Sequence, residues 1–230
     1  MFIVDKKIPD DAKKRLRDFG DVIELETSGI TYDAISGHPD IFFCRVPGGV
    51  VVAPGIPDEI LNKTESFGVN MIPGSEKPGS AYPNTAIYNA LVTNQYLIHN
   101  KSVTDPAIVN ATKGLRSIHV KQAYTRCNLI AMNKLFVTSD VGIHKKLIEE
   151  GLNVHLFNTE TVKLQGFSHG FLGGACGVWE DRFFVCGNLN YFPDGEKLRH
   201  MVTNAGYKLT ELYDGPLIDG GGIIALNSDG

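Results

Sequence analysis

The sequence predicts an α/β protein built from a repeated strand–strand–helix–strand unit. Residues 8–25 (IPDDAKKRLRDFGDVIEL) align without a gap on 56–73 (IPDEILNKTESFGVNMIP), sharing Ile-Pro-Asp at the start and Phe-Gly after the helical body. Three further segments, DPAIVNATKGLRSIHV, DVGIHKKLIEEGLNVHLF and PDGEKLRHMVTNAGYKLTEL, follow the same grammar. Each helical pattern then runs into an alternating stretch such as VIELE or NVHLF, the mark of a strand. Recurrence at this scale signals a modular architecture rather than a chance alternation of helix and strand.

The elements follow in order. Asp or Pro-Asp opens every helix, because Asp accepts from free N–H groups and Pro suits the first turn. Gly20, Gly68, Gly114, Gly151 and Gly206 close them, as left-handed helix stops. Two strand-like runs precede four of the helices: DIFFCRV and VVVAP, AIYNALV and YLIHN, NLIAMN and LFVTS, ACGVWE and RFFVCG. Their links are short enough for hairpins. The units are therefore expected at 36–73, 82–122, 124–157 and 170–213. A fifth is divided between the ends of one domain spanning 1–230: residues 217–230 supply its first strand, behind the triplet Gly220-Gly221-Gly222, and 1–26 supply the rest. The last strand is expected to pair with the first, which leaves no terminal strand edge open.

Composition narrows the function. The chain has 22 Lys and Arg against 26 Asp and Glu, a net charge of −4, so no nucleic-acid partner is expected. Met1–Val4 is apolar, but Asp5, Lys6 and Lys7 follow at once, so it reads as neither signal peptide nor membrane span. Cys44, Cys127, Cys176 and Cys186 lack metal-binding or CxxC spacing and read as reduced thiols of a cytoplasmic protein. No phosphate-binding or dinucleotide fingerprint occurs, and neither cofactor nor metal is expected. The oligomeric state is left open.

Stacking the entries to the five first strands, HPDIFF, YPNTAIY, YTRCNLI, FLGGACG and LIDGGGI, gives a third column of Asp40, Asn84, Arg126, Gly173 and Asp219. Asp and Asn are ordinary turn residues, but Arg126 is not. Two readings stand side by side. The column is a polar ring holding a ligand through charge-assisted hydrogen bonds, or Arg126 neutralises the two aspartates as a structural pair. His38 precedes Asp40, and His169 lies among Gly170, Gly173 and Gly174, which with Gly220 and Gly221 would leave space for a ligand. The other five histidines, His99, His119, His144, His155 and His200, read as surface or packing residues. Cys127 adjoins the cation of Arg126, which can lower a thiol pKa, and Cys176 lies two residues past Gly174. The favoured reading of both is a buried, small, apolar side chain. Residues 73–84 (PGSEKPGSAYPN) read as a connector, with a lid as the weaker reading.

Five ββαβ units completed by the chain ends resemble the pentein fold, the five-fold pseudosymmetric α/β propeller. That fold belongs to the guanidino-group modifying enzymes (arginine and agmatine deiminases, dimethylargininase, amidinotransferases) and to translation initiation factor 6. The resemblance implies that the entry residues line a central pocket and that carboxylates bind a guanidinium. It also implies that His169 lies where those enzymes carry an acid/base histidine, and that a nucleophilic cysteine follows the glycines of the fifth unit. The chain departs from this last point: Ile223, Ile224, Ala225 and Leu226 follow the glycines, no cysteine occurs after Cys186, and His169 is followed by Gly170 and Phe171 rather than a His-x-Asp pattern.

The favoured expectation is thus a protein of the guanidino-enzyme kind that binds a small polar, guanidino or amino-acid-like ligand without the standard cysteine chemistry. Its expected ligand contacts are His38, Asp40, Asn84, Arg126, Cys127, Gly173, Gly174, Gly220 and Gly221, and its expected catalytic groups are His169, Asp219 and Cys176. One alternative is an amidinohydrolase or deiminase acting on C–N bonds with a relocated cysteine. The other is a non-catalytic factor that binds the ribosome or a protein.

Overall fold

Strand pairs formed within each repeat organise the chain, and the computed structural model describes residues 1–226. The last four positions of the expected 217–230 segment therefore lie outside the described residues. In chain order the elements are β1 (Phe2–Asp5), α1 (Asp10–Leu16), β2 (Val22–Leu25), β3 (Phe43–Val46), β4 (Gly49–Val52), α2 (Asp58–Ser66) and β5 (Met71–Pro73). Next come β6 (Leu91–Val92), β7 (Tyr96–His99), α3 (Pro106–Ala111), β8 (Arg116–His119), α4 (Thr125–Asn128), β9 (Leu129–Met132), β10 (Leu135–Thr138), α5 (Val141–Glu149) and β11 (Asn153–Leu156). The last are β12 (Cys176–Trp179), β13 (Arg182–Val185), α6 (Gly195–Asn204), β14 (Lys208–Glu211) and β15 (Ile224–Ala225).

These strands form five three-stranded sheets, β15-β1-β2, β3-β4-β5, β6-β7-β8, β9-β10-β11 and β12-β13-β14. In each, the first pair is antiparallel and the second is parallel across a helix. The first and last strands do pair: Phe2 faces Ala225 and Ile3 faces Ile224. The Met1 amino group donates to the Leu226 carbonyl at 3.1 Å, and the Leu226 amide donates back to the Met1 carbonyl at 2.9 Å.

The middle strand of each sheet lies between its helix and a neighbouring unit, so both its faces are covered. This is why β1 (FIVD) and β4 (GVVV) are buried at every residue rather than alternating. Phe2 meets Trp179 and Phe184 edge-on at 5.2 and 5.4 Å, tying the sheet of the chain ends to that of β12–β14. Among the described residues the buried hydrophobics fall into four clusters, the largest around Ile3, Phe42 and Phe43, the others including Phe183, Phe184 and Phe136.

The local signals differ from expectation in two places. Asp105 and Asp140 do cap α3 and α5, accepting from the amides of Ala107 (2.8 Å) and Ile143 (2.7 Å). At α1 and α2 the cap position belongs to Pro9 and Pro57, and the aspartates sit in the first turn, where they meet the positive end of the helix instead. The entries to the first strands are not strand. Pro39–Ile41, Asn84–Ala86 and Gly173–Ala175 are single turns of 3-10 helix, and Thr125–Asn128 is one α-turn. Such a turn brings its side chains toward the neighbouring unit rather than alternating them, and this builds the site.

The connector at 73–84 is held at its start. Asp105 accepts from the amides of Ser75 (3.0 Å) and Glu76 (2.9 Å) and from the Tyr88 hydroxyl (3.0 Å).

Candidate functional site

The entry turns converge on a buried polar cluster. Asp40, Asp5, His38 and Asp219 are exposed by only 0, 1, 3 and 4%. Burial on this scale needs partners for every polar atom. Asp40 Oδ2 accepts from the Cys127 thiol at 2.8 Å and lies 3.6 Å from Arg126 Nη1. Asp219 accepts from the amides of Phe171 (2.8 Å) and Gly221 (3.0 Å). Asp5 accepts from the Lys7 amide at 2.7 Å. The His38 ring stands between two carboxylates, 3.8 Å from Asp5 and 3.9 Å from Asp219. Asn89 joins the group: its side chain donates toward Cys127 Sγ and the Asp40 carbonyl, both at 3.3 Å, and accepts from the Cys127 amide at 3.1 Å.

One atom is left over. Among the described residues, Asp40 Oδ1 is the buried side-chain oxygen or nitrogen with no hydrogen-bond partner. Burial pushes the Asp40 carboxyl above its usual range, against the pull of Arg126 and His38. Burial also raises Asp5.

Arg126 occupies the space between the entry turns. Its Nη1 donates to the carbonyls of Gly173 (3.2 Å) and Gly221 (3.3 Å), and its Nη2 to those of Cys176 and Ile223, both at 3.4 Å. One guanidinium thus joins the third unit to the fourth and fifth. This accounts for the glycines. A Cβ on Gly222 would strike the Arg126 guanidinium, one on Gly174 the Asp219 carboxylate, and one on Gly221 the backbone and Cβ of His38. Gly221 and Gly222 also have φ of +68° and +79°, which other residues adopt only with strain. A Cβ on Gly173 would strike the carbonyls of Arg126 and Cys127, and one on Gly220 the Ile8 side chain. The space expected for a ligand beside Gly173, Gly174, Gly220 and Gly221 is therefore filled by the chain's own groups.

Aromatic side chains lie against the cluster, with Tyr32 and Tyr124 close enough to Cys127 to feel a charge on its sulfur. The Tyr124 hydroxyl bonds to Thr85 Oγ1 at 2.5 Å and to the Tyr32 hydroxyl at 3.1 Å. The Tyr124 ring leans on Tyr82 (5.4 Å) and Phe171 (6.4 Å).

Of the expected site residues, His38, Asp40, Arg126, Cys127 and Asp219 come together, and Gly173, Gly174 and Gly221 adjoin them. His169 does not: it is exposed, and its ring contacts Ser168 Oγ at 3.1 Å. Asn84 is exposed as well. Continuing the β6–β7 register by one residue sets Ala90 where β3, β9 and β12 have Phe43, Leu129 and Cys176. Counting back three gives Asp40, Ile87, Arg126 and Gly173, so the second unit contributes Ile87 to the column rather than Asn84, and Asn89 reaches the cluster two residues later. Cys176 is buried, and burial holds its thiol far above the ordinary value. The Cys127 thiol is raised too, by burial and by Asp40 and Asp219. Burial is the largest cause and the two carboxylates add to it, so the lowering that an adjoining cation can give does not occur. His99 is buried with both ring nitrogens bonded, to Thr104 and Ala123, and burial lowers its pKa to about 4. Asp5 and Asn89 were not singled out from sequence. Asp5 looks like the polar end of a strand, and Asn89 like part of a hairpin.

On the opposite side of Arg126 lies an open cavity of about 1080 Å³, lined by the first strands of all five sheets. Among the described residues no group of three His, Cys, Asp or Glu is placed to hold a metal ion, and no helix is long and apolar enough to cross a membrane.

A family model described as "Family of unknown function (DUF6873)" matches residues 3–224. The chain belongs to this family. No curated protein sequence matches it. Among solved structures it is similar to a dimethylarginine dimethylaminohydrolase from Pseudomonas aeruginosa, a mutant complexed with citrulline: identity is 10%, the TM-score 0.54, and 91% of this chain and 90% of that one are covered. It is similar also to an amidinotransferase of saxitoxin biosynthesis from Microseira wollei, at 11% identity and TM-score 0.52, covering 91% and 87%. At these identities the likeness is one of fold, and the chain is related in fold to the penteins.

Proposed function

We propose that the protein is a single-domain, five-fold pentein propeller that binds a small guanidino or amidino cation at its carboxylate-rich end, without a cysteine nucleophile after the fifth-unit glycines. Support for the propeller comes from contacts between successive units. The Cys44 thiol meets the Ala90 carbonyl, the Arg126 amide donates to the Asn89 carbonyl, Gly173 packs on Cys127, the Ile223 amide donates to the Cys176 carbonyl, and Gly221 packs on His38. Four buried, unpaired cysteines favour a reducing, cytoplasmic location.

The observation that carries the ligand reading is Asp40 Oδ1, buried and unpartnered in a site holding three carboxylates against Arg126 and His38. A planar N–H donor of positive charge satisfies that oxygen and offsets the excess negative charge through charge-assisted hydrogen bonds. Because the glycine side is filled by the chain's own groups, the ligand reaches Asp40 only if the Tyr32–Tyr124 pair parts and opens room there. Asp219 and His38 form the second side of the site, while Cys127, held as a thiol, serves as a neutral donor to Asp40. Calorimetric titration of arginine, agmatine and citrulline against the wild type and Asp219→Ala tests this. Binding of a guanidino compound that weakens in the variant is expected; no binding by any of the three, or equal binding by both proteins, rejects it.

A relocated nucleophile is the second reading, because Cys127 alone among the four cysteines lies in the cluster, against Asp40. The raised thiol pKa opposes it. Iodoacetamide is expected to leave Cys127 unmodified in the folded protein, and rapid labelling that agmatine blocks would favour the hydrolase.

A further inference from the structure

The open cavity has a character opposite to that of the buried cluster. Its lining includes three cations, Arg45 on β3, Lys134 in the β9–β10 turn, and Arg126 at the inner end, and not one Asp or Glu. This is a strong bias in a chain where acidic residues outnumber basic ones by 26 to 22. Arg45 and Lys134 are exposed, and among the described residues neither side chain has an ion-pair or hydrogen-bond partner. Basic side chains elsewhere pair with carboxylates, as Lys6, Arg17, Arg116, Lys146, Arg199 and Lys208 do, or stand singly on the open surface, as Lys113 does. The distinctive feature here is three cations in one concave site with no carboxylate beside Arg45 and Lys134. Enclosure by the cavity walls, with the Arg126 charge adding to it, pushes the Arg45 guanidinium below its ordinary value, so the cavity holds uncompensated positive charge. Between the cations the walls are apolar and only half-buried, at Leu91, Val92, Ala131 and Val178. The volume, about 1080 Å³, lies just above the usual small-molecule range of about 300–1,000 Å³.

We propose that this cavity binds an organic anion, with a carboxylate, sulfonate or phosphate head on Arg45 and Lys134 and an apolar body on the strand walls. It goes beyond the guanidino site, since its ligand carries the opposite charge and reaches the protein from the other side of Arg126. A planar head group suits Arg45, whose fork donates two parallel hydrogen bonds. Anilinonaphthalene sulfonate is a fluorescent probe of this chemistry, and phenylnaphthylamine is its neutral counterpart. Saturable, single-site binding of the sulfonate is expected, weakened by added salt. The affinity should drop about tenfold in Arg45→Gln, the loss of one charged hydrogen-bonding group, and by a smaller factor in Lys134→Gln. Lys113→Gln, an exposed lysine outside the cavity, should bind as the wild type does. Equal binding of the neutral probe, equal affinity in Arg45→Gln and Lys134→Gln, or no saturable binding overturns the proposal. Because the probe is an anion, failure here leaves the cation site untouched, and the reverse also holds.

Discussion

The two sides of Arg126 differ in almost every physical respect. The inner side packs Asp5, Asp40, Asp219 and His38 at exposures of 4% or less, beside Tyr32 and Tyr124. The outer side is an open cavity with cations and no carboxylate. Both are built from the same repeated element, the first strand and its entry turn. Entry turns press most of their side chains against the neighbouring unit, so Asp40, Thr85, Thr125 and Asn128 there are buried and must be satisfied. Strand exits lead into hairpins, so residues such as Arg45 and Lys134 reach solvent unpaired. The repeat therefore has two chemically distinct ends, and substitution at each end decides its charge.

Breaking the divider should have the largest effect. Arg126→Leu leaves Asp40 buried without its cation and takes the guanidinium donors away from four carbonyls. A loss of about 3–5 kcal/mol in urea unfolding is expected, the cost of breaking a buried pair from one side. Gly221→Ala should cost about 2 kcal/mol or more, from a positive φ together with a collision on His38. Its damage should appear at the polar end while the sulfonate probe still binds at the other. Asp105→Ala frees the amides of Ser75 and Glu76 and uncaps α3 at Ala107, and should cost about 1–3 kcal/mol, with faster hydrogen exchange at the start of the 73–84 connector and in the first turn of α3.

The smallest effect is a pH dependence. Burial raises the Asp40 carboxyl, so the native state binds its proton more tightly than the unfolded chain does. The stability this contributes is fully present below the unfolded carboxyl value of about 3.9 and is lost as pH rises through the raised native one. The stability of wild type minus that of Asp40→Asn should therefore fall as pH rises through this window. A difference that grows with pH would mean the Arg126 pair outweighs burial.

The modular fold was legible because its signals are local: Asp or Pro at helix starts, glycine at helix stops, and short hairpin links. The union of β1 with β15 followed from counting strands. Asp40, Arg126 and Asp219 were legible as a column because three units share one register. Asn84 was misassigned because three extra residues separate Pro83 from the strand in the second unit, and an aligned asparagine hid them. Asp5 and Asn89 were missed because their roles are set by neighbours distant in sequence. The glycines show the same limit. A sequence indicates that backbone must approach something closely, and only the fold reveals that His38, Asp219 and Arg126 are what it approaches. Arg45, the outward residue of a strand otherwise buried, carried no local sign of the cavity it faces.

The most direct test of the carboxylate-rich site is a crystal structure of the protein grown with agmatine. The account predicts the guanidinium beneath Tyr32 and Tyr124, within hydrogen-bond distance of Asp40 Oδ1. Agmatine bound only beside Arg45 and Lys134, or a saturated crystal with Asp40 Oδ1 still unpartnered, would contradict it.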